Sequence, residues 1–431
     1  MSTVQAARGT RDLLPAQMHA RLHVIGIIRD VFRRYGFEPL ETPAFERIET
    51  LMGKYGDEGE KLIFRILERG EGGREGKADL ALRYDLTVPL ARVIAQNGAL
   101  PMPFKRYQVQ PVWRADRPQK GRYREFVQCD ADIVGVNSRV ADAECLAVAS
   151  DALCTLGFAD FEIKVNHRKL LSAIVASAGA ADREGEVLVA IDKLDKIGRD
   201  GVSKELSERG FEQPVIDRLW TILAMPANLA SVAAAVGSES DAPAADLRVV
   251  LAAAEAMGAK NVAFDATLAR GLGYYTGVVF EAVLKDGGVG SVSGGGRYDG
   301  LVGMFSGRQV PAVGISLGLE RLLVVMEERG MLTGAATQTS VLVTRFSADL
   351  DGASARAAAS LRAQGIAAEL WLGEPGSLGK QFKYAAGRNI PYAVVIGPEE
   401  AAAGEVNVKD LRSGEQGKMA LSAVADKLRH A

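Results

Sequence analysis

Five cationic side chains, Arg114, Arg117, Lys120, Arg122 and Arg124, crowd one short segment of the chain. An arginine fork presents paired donors in a plane, which suits phosphate oxygens. Flanking this segment, Arg106, Gln108 and Gln110 alternate with apolar residues before it, and Gln128, Asp130 and Asp132 alternate after it. Cations beside amides and carboxylates fit two ligands at once, a polyphosphate and a small zwitterion. Upstream, Asp85 and Thr87 stand two apart, one supplying charge and the other an oxygen acceptor, which together anchor an ammonium group. Downstream lie Arg270, Tyr274 and Tyr275 in ARGLGYYTG, the glycine run 294–296 followed by Arg297 and Tyr298, and Arg321 in GLERLLVVM. No side chain stands out as a nucleophile. Displacement at phosphorus needs none, because it rests on positioning and electrostatics.

Each of these features has a plainer reading. The basic segment could be the tip of a solvated hairpin, Thr87 a cap at a strand end, and Arg-Gly-x-Gly a turn. The glycine run could be a flexible loop. It is not a P-loop, since no Lys-Ser or Lys-Thr follows at the required spacing. His19 and His23 lie four apart on a predicted helix, but no third ligand is near enough in sequence to make a metal site.

The periodicity says which elements must hold these residues. Period-two alternation over 104–113 and 124–133 predicts two antiparallel strands joined by the basic loop. A strand through LALRYDLT would point Arg83, Asp85 and Thr87 to one face. Apolar residues at Leu22, Ile25, Ile28 and Phe32 predict a helix over 16–35, with Pro15 suited to its first turn. Residues 168–257, rich in Ala, Leu, Glu and Lys, predict a helical insertion. Leu319, Leu322, Leu323 and Met326 give the buried face of a helix that bears Arg321. Beyond a linker at 330–339, strand and helix patterns alternate to the end, which predicts a parallel-dominated α/β domain.

With 431 residues, 48% hydrophobic and 25% charged, two or three ordinary globular domains are expected. A net charge of −2 means that any nucleic acid must be met by local basic patches. Three cysteines without a Cys-x-x-Cys pair argue against disulfides and zinc. No apolar run approaches the roughly 20 residues that span a bilayer, and the first residues lack a signal-peptide core. A cytoplasmic protein is expected.

The stretch RADRPQKGRYREFVQCDADIVG resembles the second signature motif of class II aminoacyl-tRNA synthetases, in the version found in histidyl-tRNA synthetases. The helix over 16–35 with YGFEPLETPAFE is similar to the first class II motif, which builds the family's dimer interface. ARGLGYYTG resembles the histidine-specific signature, with Gly273 where the family usually has Asp, and GGGRYDG fits a further signature. The resemblance covers essentially the whole chain.

It implies an α/β protein: an α+β catalytic domain on a mainly antiparallel sheet over 1–330, with the helical insertion at about 168–257, and a C-terminal α/β anticodon-binding domain over 340–431. It implies ATP with Mg2+, L-histidine and tRNA(His) as substrates, a homodimer, and neither a structural metal nor a membrane. Arg114 and Arg270 would be catalytic, and Arg114, Arg122 and Arg321 would bind ATP. Asp85, Thr87, Arg114, Gln128, Asp132, Arg270, Tyr274 and Tyr275 would bind histidine. Arg117, Gln119 and Lys120 would meet the tRNA acceptor end. Lys380, Lys383, Arg388, Lys409 and Arg412 could touch tRNA phosphates in the C-terminal domain. The regulatory subunit of ATP phosphoribosyltransferase shares the catalytic fold and is the alternative, as is a free-standing amino-acid-adenylating enzyme. Such paralogues usually lack the C-terminal domain, which this chain has.

Overall fold

A computed structural model describes residues 4–55, 59–225, 228–269, 273–285, 288–332 and 337–429. The chain forms two compact units, Met1–Arg11 with Val24–Met331, and Asp12–His23 with Leu332–Ala431. Strands of the larger unit are β1 (Glu38–Pro39), β2 (Phe45–Arg47), β3 (Arg65–Leu67), β4 (Ala78–Leu82), β5 (Phe104–Trp113), β6 (Glu125–Val134), β7 (Phe161–His167), β8 (Val262–Phe264), β9 (Val278–Leu284), β10 (Ser291–Arg297) and β11 (Ala312–Gly318). The smaller unit holds β12 (Val341–Val343), β13 (Ala368–Leu370), β14 (Tyr392–Val395), β15 (Glu405–Asp410) and β16 (Gln416–Ala420).

The two alternating arms become β5 and β6, antiparallel, with Arg106 opposite Asp132, Gln108 opposite Asp130 and Gln110 opposite Gln128. They belong to an eight-stranded sheet in the order β1-β5-β6-β11-β10-β9-β7-β8. Only the edge pairs β1–β5 and β7–β8 are parallel. The hairpin is not solvated: Arg106 and Gln108 are fully buried, as are Cys129 and Ala131 on the opposite face. Arg83, itself buried, covers part of the polar face, donating to Thr42 O (2.7 Å), Pro43 O (3.0 Å), Pro111 O (2.9 Å) and Gln110 Oε1 (3.0 Å). Gln108 Nε2 donates to Thr42 Oγ1 at 2.9 Å. Pairing of this kind makes burial of so many polar groups tolerable.

Two local expectations change. The strand through LALRYDLT stops at Leu82, and Thr87 opens a helix, Thr87–Gln96. The cause is Asp85, whose Oδ1 accepts the Val88 N–H at 3.0 Å and satisfies a donor of the first turn. The glycine run 294–296 is not a loop but lies inside β10, between β9 and β11. A Cβ on Gly295 would stand 2.1 Å from Gly314 O and 2.5 Å from the Phe280 ring, so the strand needs glycine there to pack against the protein itself.

Between β7 and β8 the described residues form helices, from Arg168–Ser177 through Asp241–Ala256. The helix Leu319–Glu328 follows β11 and buries Leu319, Leu322, Val325 and Met326, while Leu323 is only half-buried. The linker expected at 330–339 falls partly outside the described residues.

The smaller unit has a sheet in the order β13-β12-β14-β15-β16. β12 pairs in parallel with β13 and β14, but β14–β15 and β15–β16 are antiparallel, so the sheet is mixed rather than parallel-dominated. The short helix Pro398–Ala403 ends on Gly404 at φ 71°, a left-handed cap that turns the chain back. A tight turn after Asp410 then adds β16, a strand the sequence pattern did not suggest. No helix among the described residues is long and apolar enough to cross a membrane.

Candidate active site

Asp85 is 2% exposed and sits where β4 gives way to the helix Thr87–Gln96. Its Oδ1 accepts from Tyr55 Oη and from the Val88 N–H, both at 3.0 Å, while Oδ2 is buried without a hydrogen-bond partner. Burial pushes this carboxyl above its usual range. Beside it, Arg114 donates from Nε to Tyr84 O (3.0 Å) and from Nη2 to Gln128 Oε1 (3.3 Å). The Arg114 guanidinium lies over the Tyr84 ring at 4.3 Å and the Phe126 ring at 5.2 Å. These contacts fix the plane of its guanidinium.

Gln128 Nε2 donates to Ser316 Oγ (3.0 Å) and Asp130 Oδ1 (3.2 Å), so its amide oxygen is the end turned to Arg114. Asp132 Oδ1 accepts from Tyr298 Oη at 2.5 Å, and its Oδ2 lies 2.8 Å from Arg106 Nη2 but outside hydrogen-bond alignment. Arg106 keeps Nε and Nη1 buried without partners. Burial raises Asp132 and pushes Asp130 up to about 7; for both, Arg106 works in the opposite direction.

Tyr274 and Tyr275 meet edge to face with centroids 4.9 Å apart, and Tyr274 lies 6.1 Å from Tyr298. Burial, the largest cause, pushes the Tyr274 hydroxyl well above its usual value, and Thr87 beside it works in the opposite direction. Gly296 lets this wall approach: a Cβ there would stand 2.9 Å from the Tyr275 ring. Arg321 donates to Ser291 O, and its side chain runs past Gly121 in the basic loop, 3.5 Å from where a Cβ would stand. At the loop's tip Gln119 and Arg122 form a bridge, Arg117 is exposed, and Lys120 pairs with Glu328. Arg270 lies outside the described residues.

Asp85, Thr87, Arg114, Gln128, Asp132, Tyr274 and Tyr275 are thus linked through shared contacts, and Arg321 lies against the loop that carries Arg122. A model of the histidyl-tRNA synthetase family matches residues 9–322, and one of the anticodon-binding domain matches residues 338–431. The chain belongs to the histidyl-tRNA synthetase family. A histidine–tRNA ligase of Cytophaga hutchinsonii is 43% identical over 446 residues, covering 98% of each chain. The crystal structure of the histidyl-tRNA synthetase from a Nostoc species is 31% identical, with a TM-score of 0.85 and 100% of both chains covered. A structure from Bacillus halodurans, titled as an ATP phosphoribosyltransferase regulatory subunit/histidyl-tRNA synthetase, shares the fold with a TM-score of 0.72 at 22% identity, over 89% of this chain and 96% of that one.

Around these residues of the synthetase family, the sequence pattern assigns no role to three neighbours. Tyr298 stands in the sequence only as part of GGGRYDG, yet its hydroxyl donates to Asp132. Asp130 was placed on the correct face by alternation, though nothing in the pattern marked it as the residue that orients Gln128. Tyr55 carried no signal, because only the fold brings it to Asp85. In the smaller unit, Arg388 is held by Glu369 (2.9 Å) and Arg412 by Asp410 (2.8 Å). Lys409 lies over the Phe382 ring at 5.3 Å, whereas Lys380 and Lys383 are exposed.

Proposed function

We infer that the chain is a histidine–tRNA ligase that activates histidine with ATP to histidyl-adenylate and transfers it to the 3′ end of tRNA(His). Within the pocket, the observation that carries this reading is the unpaired Asp85 Oδ2. A buried carboxylate oxygen without a partner is costly unless a cationic ligand group completes it. Asp85, Thr87 and the Gln128 amide oxygen therefore receive the α-ammonium group of histidine. Asp132 and Tyr275, with Tyr274 beside them, surround the imidazole, which needs one acceptor and one donor.

Arg114 and Arg321 hold the triphosphate, Arg122 serves the nucleotide and carboxylate region, and Mg2+ enters with ATP as part of the substrate. Arg270 neutralises charge that develops at the α-phosphate. The carboxylate oxygen of histidine bonds to the α-phosphorus as the bond to the bridging oxygen breaks, and pyrophosphate leaves. Arg117, Gln119 and Lys120 at the loop tip meet the acceptor end of the tRNA. Residues 1–330 form the catalytic domain with its helical insertion at about 168–257, and 340–431 bind the anticodon. The protein works in the cytoplasm as a homodimer, paired through the helix over 16–35 and the segment that follows it.

The test is ATP–pyrophosphate exchange by the purified protein. Exchange should appear with histidine and stay at background with other amino acids. Equal exchange with several amino acids would sink the histidine assignment. Absence of exchange would favour a non-catalytic paralogue.

A further inference from the structure

The segment RGTRDLLP has no part in the pocket described above, yet its first residues lie on the basic loop. Gly9 adopts φ 84°, and its carbonyl accepts the Arg124 N–H at 2.8 Å. A Cβ there would stand 2.7 Å from Arg124 Cγ and 2.9 Å from the Pro118 ring, so both the conformation and the contact call for glycine. Two residues on, the Arg11 guanidinium lies over the Tyr123 ring at 3.8 Å and pairs with Glu320. Glu320 is 4% exposed, and its other oxygen accepts the Val127 N–H at 3.3 Å. The next residue on the first turn of the helix Leu319–Glu328 is Arg321.

We propose that residues 9–11 are a positioning clip for ATP, fastening the loop 114–124 to the start of the helix that carries Arg321. The clip touches no substrate; it acts through Tyr123, Arg124 and Glu320. Its need follows from charge. Glu328 and Asp116 pair with Lys120 and Arg122, but Arg114, Arg117 and Arg124 keep the loop cationic. Such a loop and the nearby Arg321 repel one another until a polyphosphate arrives, and ordering it only at that moment would weaken ATP binding. Glu320 offsets the charge that Arg11 adds, so the clip orders the loop without worsening the repulsion. Arg114, Arg122 and Arg321 are then held facing one triphosphate before it binds.

The proposal rests on the ligase reading, so exchange by the unaltered full-length protein is measured first. Lack of histidine-dependent exchange removes that reading. Where exchange is present, Arg11→Ala should raise the KM for ATP roughly tenfold and leave the KM for histidine within about twofold, as expected for losing one charged contact and one cation–π contact. Hydrogen exchange at the Arg124 amide should speed up in the same variant. Unchanged KM for ATP, or equal rises for both substrates, overturns the clip and leaves the ligase reading intact. Arg11→Lys keeps the charge opposite Glu320 but loses the plane over Tyr123, and it serves if Arg11→Ala does not fold. Its KM for ATP should rise roughly threefold, and a value equal to that of the unaltered protein overturns the clip.

Discussion

Replacing Asp85 with Asn tests the histidine anchor while leaving the shape of the site unchanged. The Asn carbonyl can take the place of Oδ1 and keep both bonds, from Tyr55 Oη and the Val88 N–H. The amide NH2 then occupies the position of Oδ2, which has no protein partner. A histidine ammonium arriving there loses a charge-assisted bond, worth about 1.5–3 kcal/mol, and meets a donor instead of an acceptor. Together these amount to about 3 kcal/mol, or roughly a hundredfold in affinity. In pyrophosphate exchange the KM for histidine should rise by about that factor, while the KM for ATP changes by less than about twofold. Thermal stability should hold, because the bonds from Tyr55 and Val88 are kept and a buried carboxylate has been replaced by a neutral group. A merely structural Asp85, acting as the acceptor for the helix Thr87–Gln96, predicts near-normal histidine binding in this variant. A KM for histidine within threefold of the unaltered protein would refute the anchor, as would a parallel rise for ATP with loss of stability.

Other residues make separate predictions. Burial raises Asp130 to about 7, so folding favours its neutral form; its contribution to stability is fullest below the ordinary aspartate range and is lost as pH rises toward 7. Asp130→Asn should therefore gain stability relative to the unaltered protein between pH 5 and pH 8, by on the order of 2 kcal/mol in urea unfolding; a gap that narrows with pH contradicts this. Arg297→Ala would leave Asp142, which is fully buried and bonded to Arg297 Nη2 at 2.6 Å, with the more distant Arg139 Nη1 at 3.7 Å in its place. Unfolding measurements should find a loss of about 3–5 kcal/mol, and a loss under 1 kcal/mol would mean that Asp142 finds another partner. Lys380→Glu combined with Lys383→Glu should weaken tRNA charging and flatten its salt dependence, with pyrophosphate exchange unchanged. Unchanged charging would remove these two lysines from the tRNA contact.

The sequence by itself determined the elements whose local pattern is strong. Alternation over 104–113 and 124–133 specified β5 and β6, because successive side chains of a strand point to opposite faces and here sort into a polar and an apolar set. Composition specified the helices between β7 and β8. The motif wording singled out Asp85, Gln128, Asp132, Tyr274 and Tyr275 before any contact between them was known.

Tertiary structure decided which partners the buried polar groups have within the protein. Arg106, Gln108 and Gln110 alternate just as Gln128 does, but Arg83 and Thr42 from distant segments engage the two glutamines, and Asp132 and Leu86 O meet Arg106. Thr87 could be read as a strand residue until Asp85 accepted the Val88 N–H. The glycines of β10 looked free until Gly314 O, Phe280 and the Tyr275 ring occupied the space their side chains would need. Periodicity reports which face a residue is on. Whether a buried donor or acceptor on that face is satisfied depends on partners tens or hundreds of residues away, and only the folded chain supplies them.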